Sequence, residues 1–545
     1  LNLKWDLRAF LLRIVMAGVI FFCAGCETHP YSDDTYRIGG FISGYQLPEG
    51  LTIRSQSGEV MEVVGRQFSF DKQLMDNDVY SVTIAEQPDV QICKVINGSG
   101  VVDDAHVDDI EIHCRSWLME KTFFKENSSK ALSLALDKDS NQHTVAAWQE
   151  DKGGSQSEIT VRLYKDNEEY WFGSFDINRS SNATDPQLSA QGEREFVLAW
   201  ESLDLNEASP TSQIRITQYN PVESTGPNVS VSRPGSNATE PAVASNDNAD
   251  AIVLWKQADE SGTQRVWSSS KTDAEGLGWT LPSLVSTDSA GGDVSHLQVA
   301  MNPNGEAVAI WLEQNNEGID KVRANFYTPE NGWLNVPFNL NADSQTDALT
   351  PDLTIDGNGN VVAVWVQQGN EKTTRSVWIN TYVPGVNRNQ WNVPRELEVE
   401  AAGNAALSPQ VMAYKSTQAM VVWSQDDGTG VNRIWAMTHS PNGEWSVFAL
   451  SNITAQMDVE GAEQPQIAQD DDGNVIVVWR QSIDGKASIW SNTYTPVSGW
   501  GDPVQIESTN ADDSTEPLIT MGKTGQAVVI WRKETSGDLL FNRFE

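Results

Sequence analysis

Three acidic residues stand immediately before prolines at one recurring position of this chain: Asp185-Pro186, Glu240-Pro241 and Glu516-Pro517. Two such carboxylates meeting in one cleft could serve as the acid and base of glycoside hydrolysis. Their recurrence speaks equally for a structural position. Histidine is scarce: residues 116–545 hold His143, His296 and His439, at repeat positions that do not correspond, so Ser-His-Asp and His-rich metal constellations lack support. The turns Asp356-Gly-Asn-Gly-Asn360 and Asp470-Asp-Asp-Gly-Asn474 have a calcium-loop composition without the twelve-residue ligand pattern and its terminal Glu. Hairpin turns favour the same residues for their conformation. No catalytic residue, metal or cofactor is assigned. Aromatic faces in loops suit carbohydrate, which makes Trp279, Trp333, Trp391, Trp445 and Trp500 the candidate ligand-binding residues. Packing at sheet edges is the other reading of these five.

The elements that must position these residues form a repeat. Apolar runs end in tryptophan at Trp148, Trp200, Trp255, Trp311, Trp365, Trp423, Trp479 and Trp531, spaced 52 to 58 residues apart. Such a period signals a repeat architecture. Aligned on their tryptophans, the copies show four strand-like segments. In the clearest, strand a begins at Pro465, strand b is 475–479, strand c is 488–494, and strand d is 503–506, beyond a turn holding Trp500. Four antiparallel strands in about 55 residues make one blade of a β-propeller. Proline opens strand a in most copies, a place where no ladder donor is needed. The array's ends complement each other: residues 539–544 form a last strand c without a strand d, and residues 117–124 read as a strand d without a blade. Pairing these two would close eight blades into a ring and remove the exposed edges. An open solenoid is the alternative. Two residues beyond each tryptophan stands Glu150, Ser202, Gln257, Glu313, Gln367, Gln425, Gln481 or Lys533, on the tryptophan's side by alternation. This polar set could hold a ligand or satisfy buried polar groups between blades.

Residues 36–115 differ. Period-two alternation broken by Gly, Pro, Asn and Asp predicts a small antiparallel β-sandwich. Cys93 and Cys114 are an even pair within it. Outside the cytoplasm they would form a disulfide, closing a loop of about 20 residues and contributing on the order of 3 kcal/mol. His106 and His113 leave a zinc site as the alternative. The stretches Gln87-Pro88, Gln91-Ile-Cys93, Asn97-Gly-Ser-Gly100 and Ile112-His-Cys114 resemble a small β-module that recurs in bacterial surface proteins, which implies a spacer or stalk.

Residues 1–25 read as a secretory signal, with Lys4, Arg8 and Arg13 around an apolar stretch too short for a comfortable membrane span. Its end, Cys23-Ala-Gly-Cys26, resembles the lipobox of bacterial lipoproteins, with Cys23 where Leu is usual. The resemblance implies acylation of Cys26 and a lipid anchor in the membrane. Glu27, in place of Asp, leans towards the outer membrane. An ordinary cleaved signal with an incidental Cys26 is the alternative.

The expected plan is all-β: a signal at 1–25, a tether at 26–35, a disulfide-bonded β-sandwich at 36–115, and an eight-bladed β-propeller at 116–545 closed by an N-terminal strand. In shape this resembles the eight-bladed lipoproteins of outer-membrane assembly machinery, whose repeats differ and which lack the sandwich; fold does not fix function. Sialidase propellers carry Ser-x-Asp-x-Gly-x-Thr-Trp boxes, whereas here glycine precedes tryptophan by six residues, as in Gly305 and Trp311. The formal net charge of -38 argues against a nucleic-acid partner, whose phosphates demand Lys and Arg. The expected function is a lipid-anchored cell-envelope binding or scaffolding protein, with an envelope protein or a glycan as partner. A surface lectin or adhesin, or a glycan-active hydrolase, are the rivals.

Overall fold

The computed structural model describes residues 35–124, 130–153, 156–165, 170–177, 182–192, 195–203, 210–220, 224–271, 278–287, 292–341, 345–368, 374–385, 390–397, 406–414, 418–439, 451–454, 460–508 and 512–545. Cys26 and Trp445 lie outside them. The described regular elements are all strands. Runs such as Val475-Ile-Val-Val, β-branched and apolar on successive residues, favour a strand buried on both faces.

Among the described residues, eight antiparallel sheets of four or five strands occupy the chain from 117 onwards. Seven run in chain order. The penultimate one comprises Gly461–Gln469, Val475–Ile483 and Lys486–Thr495, with the short strands Gly499–Trp500 and Val504–Gln505 on its outer side. The last sheet joins Ser514–Met521, Ala527–Lys533 and Leu539–Phe544 to Lys121–Phe124 from the far end of the array. Lys121 pairs with Phe541, Thr122 with Leu540 and Phe124 with Leu539. Ser116 and Glu545 exchange backbone hydrogen bonds of 2.9 and 3.1 Å. Phe123 fills this seam, stacked on Trp171 at 4.6 Å and edge-on to Trp148 and Phe541. Each inner strand packs against the next, and Lys130–Lys138 also packs against Ser514–Met521, so the contacts return to their start. This is the arrangement of a β-propeller.

The repeat tryptophans are fully buried between sheets. Trp311 lies with Ile252, Leu254 and Val266 of the preceding sheet, and Trp531 with Ile476, Val478 and Ile489. Truncating one would cost about 3–5 kcal/mol. In five of the eight sheets the residue two positions on is the partner of the indole. Trp255, Trp365, Trp423 and Trp479 donate to Gln257, Gln367, Gln425 and Gln481 at 2.8–3.0 Å, and Trp311 donates to Glu313 at 3.0 Å. These five side chains each satisfy a buried indole N–H, whereas the Nε1 groups of Trp148, Trp200 and Trp531 have no hydrogen-bond partner; all eight positions of the polar set are buried, so it is not an open ligand ring.

The small unit has two four-stranded sheets around one core that includes Ile38, Ile53, Phe68, Val82 and Ile110. It departs from the all-antiparallel expectation, because Ile38–Ser43 and Val107–Arg115 pair in parallel. Both strands run from the far tip towards the propeller, and the strands between them carry the chain back to the tip. Cys93 and Cys114 face each other in register and form a disulfide. Lys94 pairs with Asp472 at 2.7 Å, the Gln87 N–H donates to the Ser498 hydroxyl at 2.7 Å, and Ile92 enters the core around Trp531. Asp472 lies between strands a and b of its sheet and Ser498 between strands c and d, so the unit rests on that face of the propeller.

Candidate functional site

The inner strands do not begin at their prolines. Ser514–Met521, for example, starts three residues before Pro517. The proline sits instead at a β-bulge. Thr184 pairs with Glu201 and Gln187 with Ala199, so Asp185 and Pro186 together face the single residue Trp200. The same shift recurs at Glu240-Pro241, His296-Leu297, Thr350-Pro351, Ser408-Pro409, Gln464-Pro465 and Glu516-Pro517, each opposite the repeat tryptophan; Ser133 is the inserted residue in the first sheet. A bulge leaves one residue without a ladder partner, so the missing proline N–H costs nothing there. The proline and tryptophan periodicities are thus two sides of one irregularity.

The first bulge residue has positive φ in all eight sheets, between 43° and 55°. Asn and Asp enter this region most readily after Gly, and for β-branched or bulky residues it is strained. The eight residues are Ser133, Asp185, Glu240, His296, Thr350, Ser408, Gln464 and Glu516; none is Gly or Asn. Seven of them line a cavity of about 540 Å³ at this end of the inner strands. The eighth, Glu240, pairs with Lys256 and accepts the His296 N–H at 3.2 Å. Gln464 accepts the Glu516 N–H at 3.0 Å, linking two more neighbours.

Charge is uneven around the ring. Asp185, Glu240 and Glu516 lie in the second, third and eighth sheets, and the fifth, sixth and seventh carry the hydroxyl and amide groups of Thr350, Ser408 and Gln464. Glu516 is held by Arg532 at 2.7 and 3.1 Å. Burial raises the Asp185 carboxyl above its usual range, the Glu240 charge adds to this, and a hydrogen bond from Gln187 opposes it. Burial and then the Asp185 charge push neighbouring Glu201 up to about 7, against the Ser212 hydrogen bond and the Lys256 charge.

The opposite end of the inner strands is covered. From Glu516 to Gly522 is about 20 Å of strand. There the turns between strands a and b abut: Ser140 donates to the Gly192 carbonyl at 3.3 Å and Asn248 to the Pro303 carbonyl at 2.7 Å. Lys523 and Asp247, from turns of non-neighbouring sheets, pair at 3.0 Å across the opening. These turns fold on their own side chains. Asp356 accepts the N–H groups of Asn358 and Asn360, both at 2.8 Å, and Asp470 accepts that of Asn474 at 2.8 Å. Among the described residues no three His, Cys, Asp or Glu side chains cluster as metal ligands.

Of the residues singled out from sequence, Asp185 and Glu516 enter the cavity and Glu240 borders it. His296 occupies the same ring position, while His143 opens a second strand and His439 ends a third, so the three histidines do not correspond; leucine follows His296 instead of proline, which hides its place in the alignment. Trp279, Trp333, Trp391 and Trp500 do not line this cavity. Each is half-buried against its own part of the inter-sheet cores: Trp333 donates to Ser268 at 2.8 Å, Trp391 lies by Phe326 and Tyr382, and Trp500 by Tyr494. The neutral ring members Thr350, Ser408 and Gln464 escaped notice; the shared pre-proline position was the available signal.

No family model and no curated protein matches the sequence. Solved structures with similarity include a lectin from Burkholderia pseudomallei, 13% identical, covering 69% of this chain and 99% of its own, with a TM-score of 0.42. An ulvan lyase is 10% identical, covering 78% and 95%, with a TM-score of 0.45. The β-propeller domain of the Trilobed protease from Pyrococcus furiosus is 10% identical, covering 71% and 100%, with a TM-score of 0.38. What this chain is similar to, at this distance, is a set of all-β proteins of differing activity, and no family membership follows.

Proposed function

We propose that this chain is a lipid-anchored binding protein of the bacterial cell envelope, probing its surroundings with the polar mouth of a closed, eight-bladed propeller. The small unit acts as a β-sandwich spacer. Its first described residues, at the far tip, follow the tether from Cys26, and its other end rests on the propeller face away from the bulge ring. The open mouth is thereby turned away from the membrane. The observation that carries the reading is the ring itself: a strained backbone conformation held in every blade by residues whose shared property is a polar side chain. A concave wall of hydroxyl, amide and carboxylate groups suits a polyhydroxylated ligand such as the end of a glycan. Two of the ring carboxylates are engaged by Lys256 and Arg532, which favours binding over acid–base chemistry.

A saccharide array probed with the full chain tests this. Binding should fall about tenfold or more in Thr350→Val and Glu516→Gln and survive Trp333→Phe and Trp500→Phe. Binding that ignores the ring variants and is lost with the rim tryptophans would instead make this a lectin of the blade edges. For the anchor, Cys26→Ser should move the protein from the membrane to the soluble fraction; continued membrane retention contradicts lipidation there.

A further inference from the structure

A second cavity, of about 690 Å³, lies on the opposite face, where the small unit meets the sheet that joins the two ends of the array. Arg115, His113, Lys121 and Arg543 contribute to its wall, with Tyr45, Leu118 and Met119 as apolar sides and Glu545 as a carboxylate. The chain has 75 Asp and Glu against 37 Lys and Arg, so two arginines and a lysine around one opening, with a histidine beside them, run against its average. Two of them are engaged. Arg543 pairs with Glu545 at 3.1 Å and donates to the Tyr164 hydroxyl; His113 bonds the Ser43 hydroxyl at 2.8 Å.

The other two are not. The Arg115 Nε is buried without a hydrogen-bond partner. Asp470 and Asp472 act on Arg115 through charge; Asp470 accepts hydrogen bonds from Asn474 at 2.8 Å, and Asp472 pairs with Lys94 at 2.7 Å. Glycine at 525 leaves room beside the guanidinium: a Cβ there would stand 2.9 Å from Asp470 Oδ2 and 3.2 Å from Arg115 Nη1. Lys121 is exposed on the same wall and forms no ion pair among the described residues. Beside these cations, Tyr45 is 62% and Met119 76% exposed, so the apolar sides are open to solvent. A buried guanidinium N–H without an acceptor is costly, and a charge-assisted bond to an oxyanion removes that cost. The volume far exceeds that of a bare phosphate and falls in the range of small-molecule sites.

We infer that this junction pocket binds an organic oxyanion, a phosphate monoester or carboxylate with an apolar body, with Arg115 and Lys121 on the oxyanion and Tyr45 and Met119 over the body. This site is independent of the bulge ring. Isothermal titration calorimetry on the full chain in zwitterionic lipid nanodiscs tests it, with n-hexyl phosphate, inorganic phosphate and 1-hexanol as probes and empty nanodiscs as blank. Hexyl phosphate should bind at least about tenfold more tightly than inorganic phosphate, and hexanol should give no saturable heat. Lys121→Gln should weaken hexyl phosphate about fivefold and Arg115→Gln about tenfold, with Lys321→Gln, on a distant sheet, unchanged. Equal binding by these variants and the parent protein, saturable binding of hexanol, or no binding of hexyl phosphate would overturn the assignment. Should Arg115→Gln fail to fold, the exposed Lys121→Gln decides alone. Nanodiscs containing phosphatidate separate the sources: if the headgroup is the natural occupant the hexyl phosphate signal disappears, and if the ligand is soluble the signal persists.

Discussion

Eight residues hold a backbone conformation that their side chains disfavour, and Thr350 is the plainest case because it is β-branched. Positive φ there costs roughly 1–3 kcal/mol relative to a residue free of that strain. Thr350→Gly should therefore raise stability by about 1 kcal/mol, after allowing for the greater freedom of glycine in the unfolded chain. Urea denaturation reads this directly, and a loss of stability would mean that the threonine side chain stabilises its bulge. This position was half legible in sequence. The prolines and their preceding acids were visible, but proline was read as a strand's first residue, since both a strand start and a bulge dispense with a ladder donor. The register that tells them apart is a property of the partner strand. The disulfide was legible because two cysteines in one small segment leave a single pairing; the junction pocket was not, because Tyr45, Arg115, Lys121 and Arg543 meet only once the small unit has docked.

At the scale of the strands, the blades are joined by more than apolar packing. Asp137 accepts the Ala190 N–H of the next inner strand at 2.7 Å, and Asp352 accepts that of Val411 at 2.8 Å. Burial between adjacent inner strands pushes both carboxyls up to about 6, against those hydrogen bonds. The sign follows from proton uptake. Between about pH 4 and pH 6 the folded chain holds protons on these groups that the unfolded chain has released, so their contribution is fully present below pH 4 and is lost as pH rises through 6. Self-repulsion in so acidic a chain has the same sign. Asp352→Asn isolates the local part: it keeps an acceptor for Val411 and cannot ionise. Its urea midpoint should fall less steeply than that of the parent protein between pH 4 and 6; identical slopes would remove Asp352 from the account. The blades themselves were legible from the tryptophan period. The Gln and Glu partners of the indoles were seen as a polar set, but alternation alone could not say what they bond.

For the molecule as a whole, the decisive feature is that the two ends of the array share a sheet. The complementary ends suggested it in sequence, since a strand d stood at one end and was missing at the other. The face on which the small unit rests was not legible, because it depends on Lys94, Gln87 and Ile92 meeting turns from the other end of the chain. At one end of the inner strands the bulge residues line a cavity, and the other end is covered by turns and by the Lys523–Asp247 pair. The direct measurement is a cross-link between the registered partners Thr122→Cys and Leu540→Cys, formed by mild oxidation of the folded chain and located by mass spectrometry of its unreduced peptides. The account predicts an intramolecular link between positions 122 and 540 in most molecules, absent when the chain is unfolded in urea before oxidation. A folded chain that forms no such link, or forms it only between two molecules, would contradict the closed ring and with it the channel mouth proposed as the binding site.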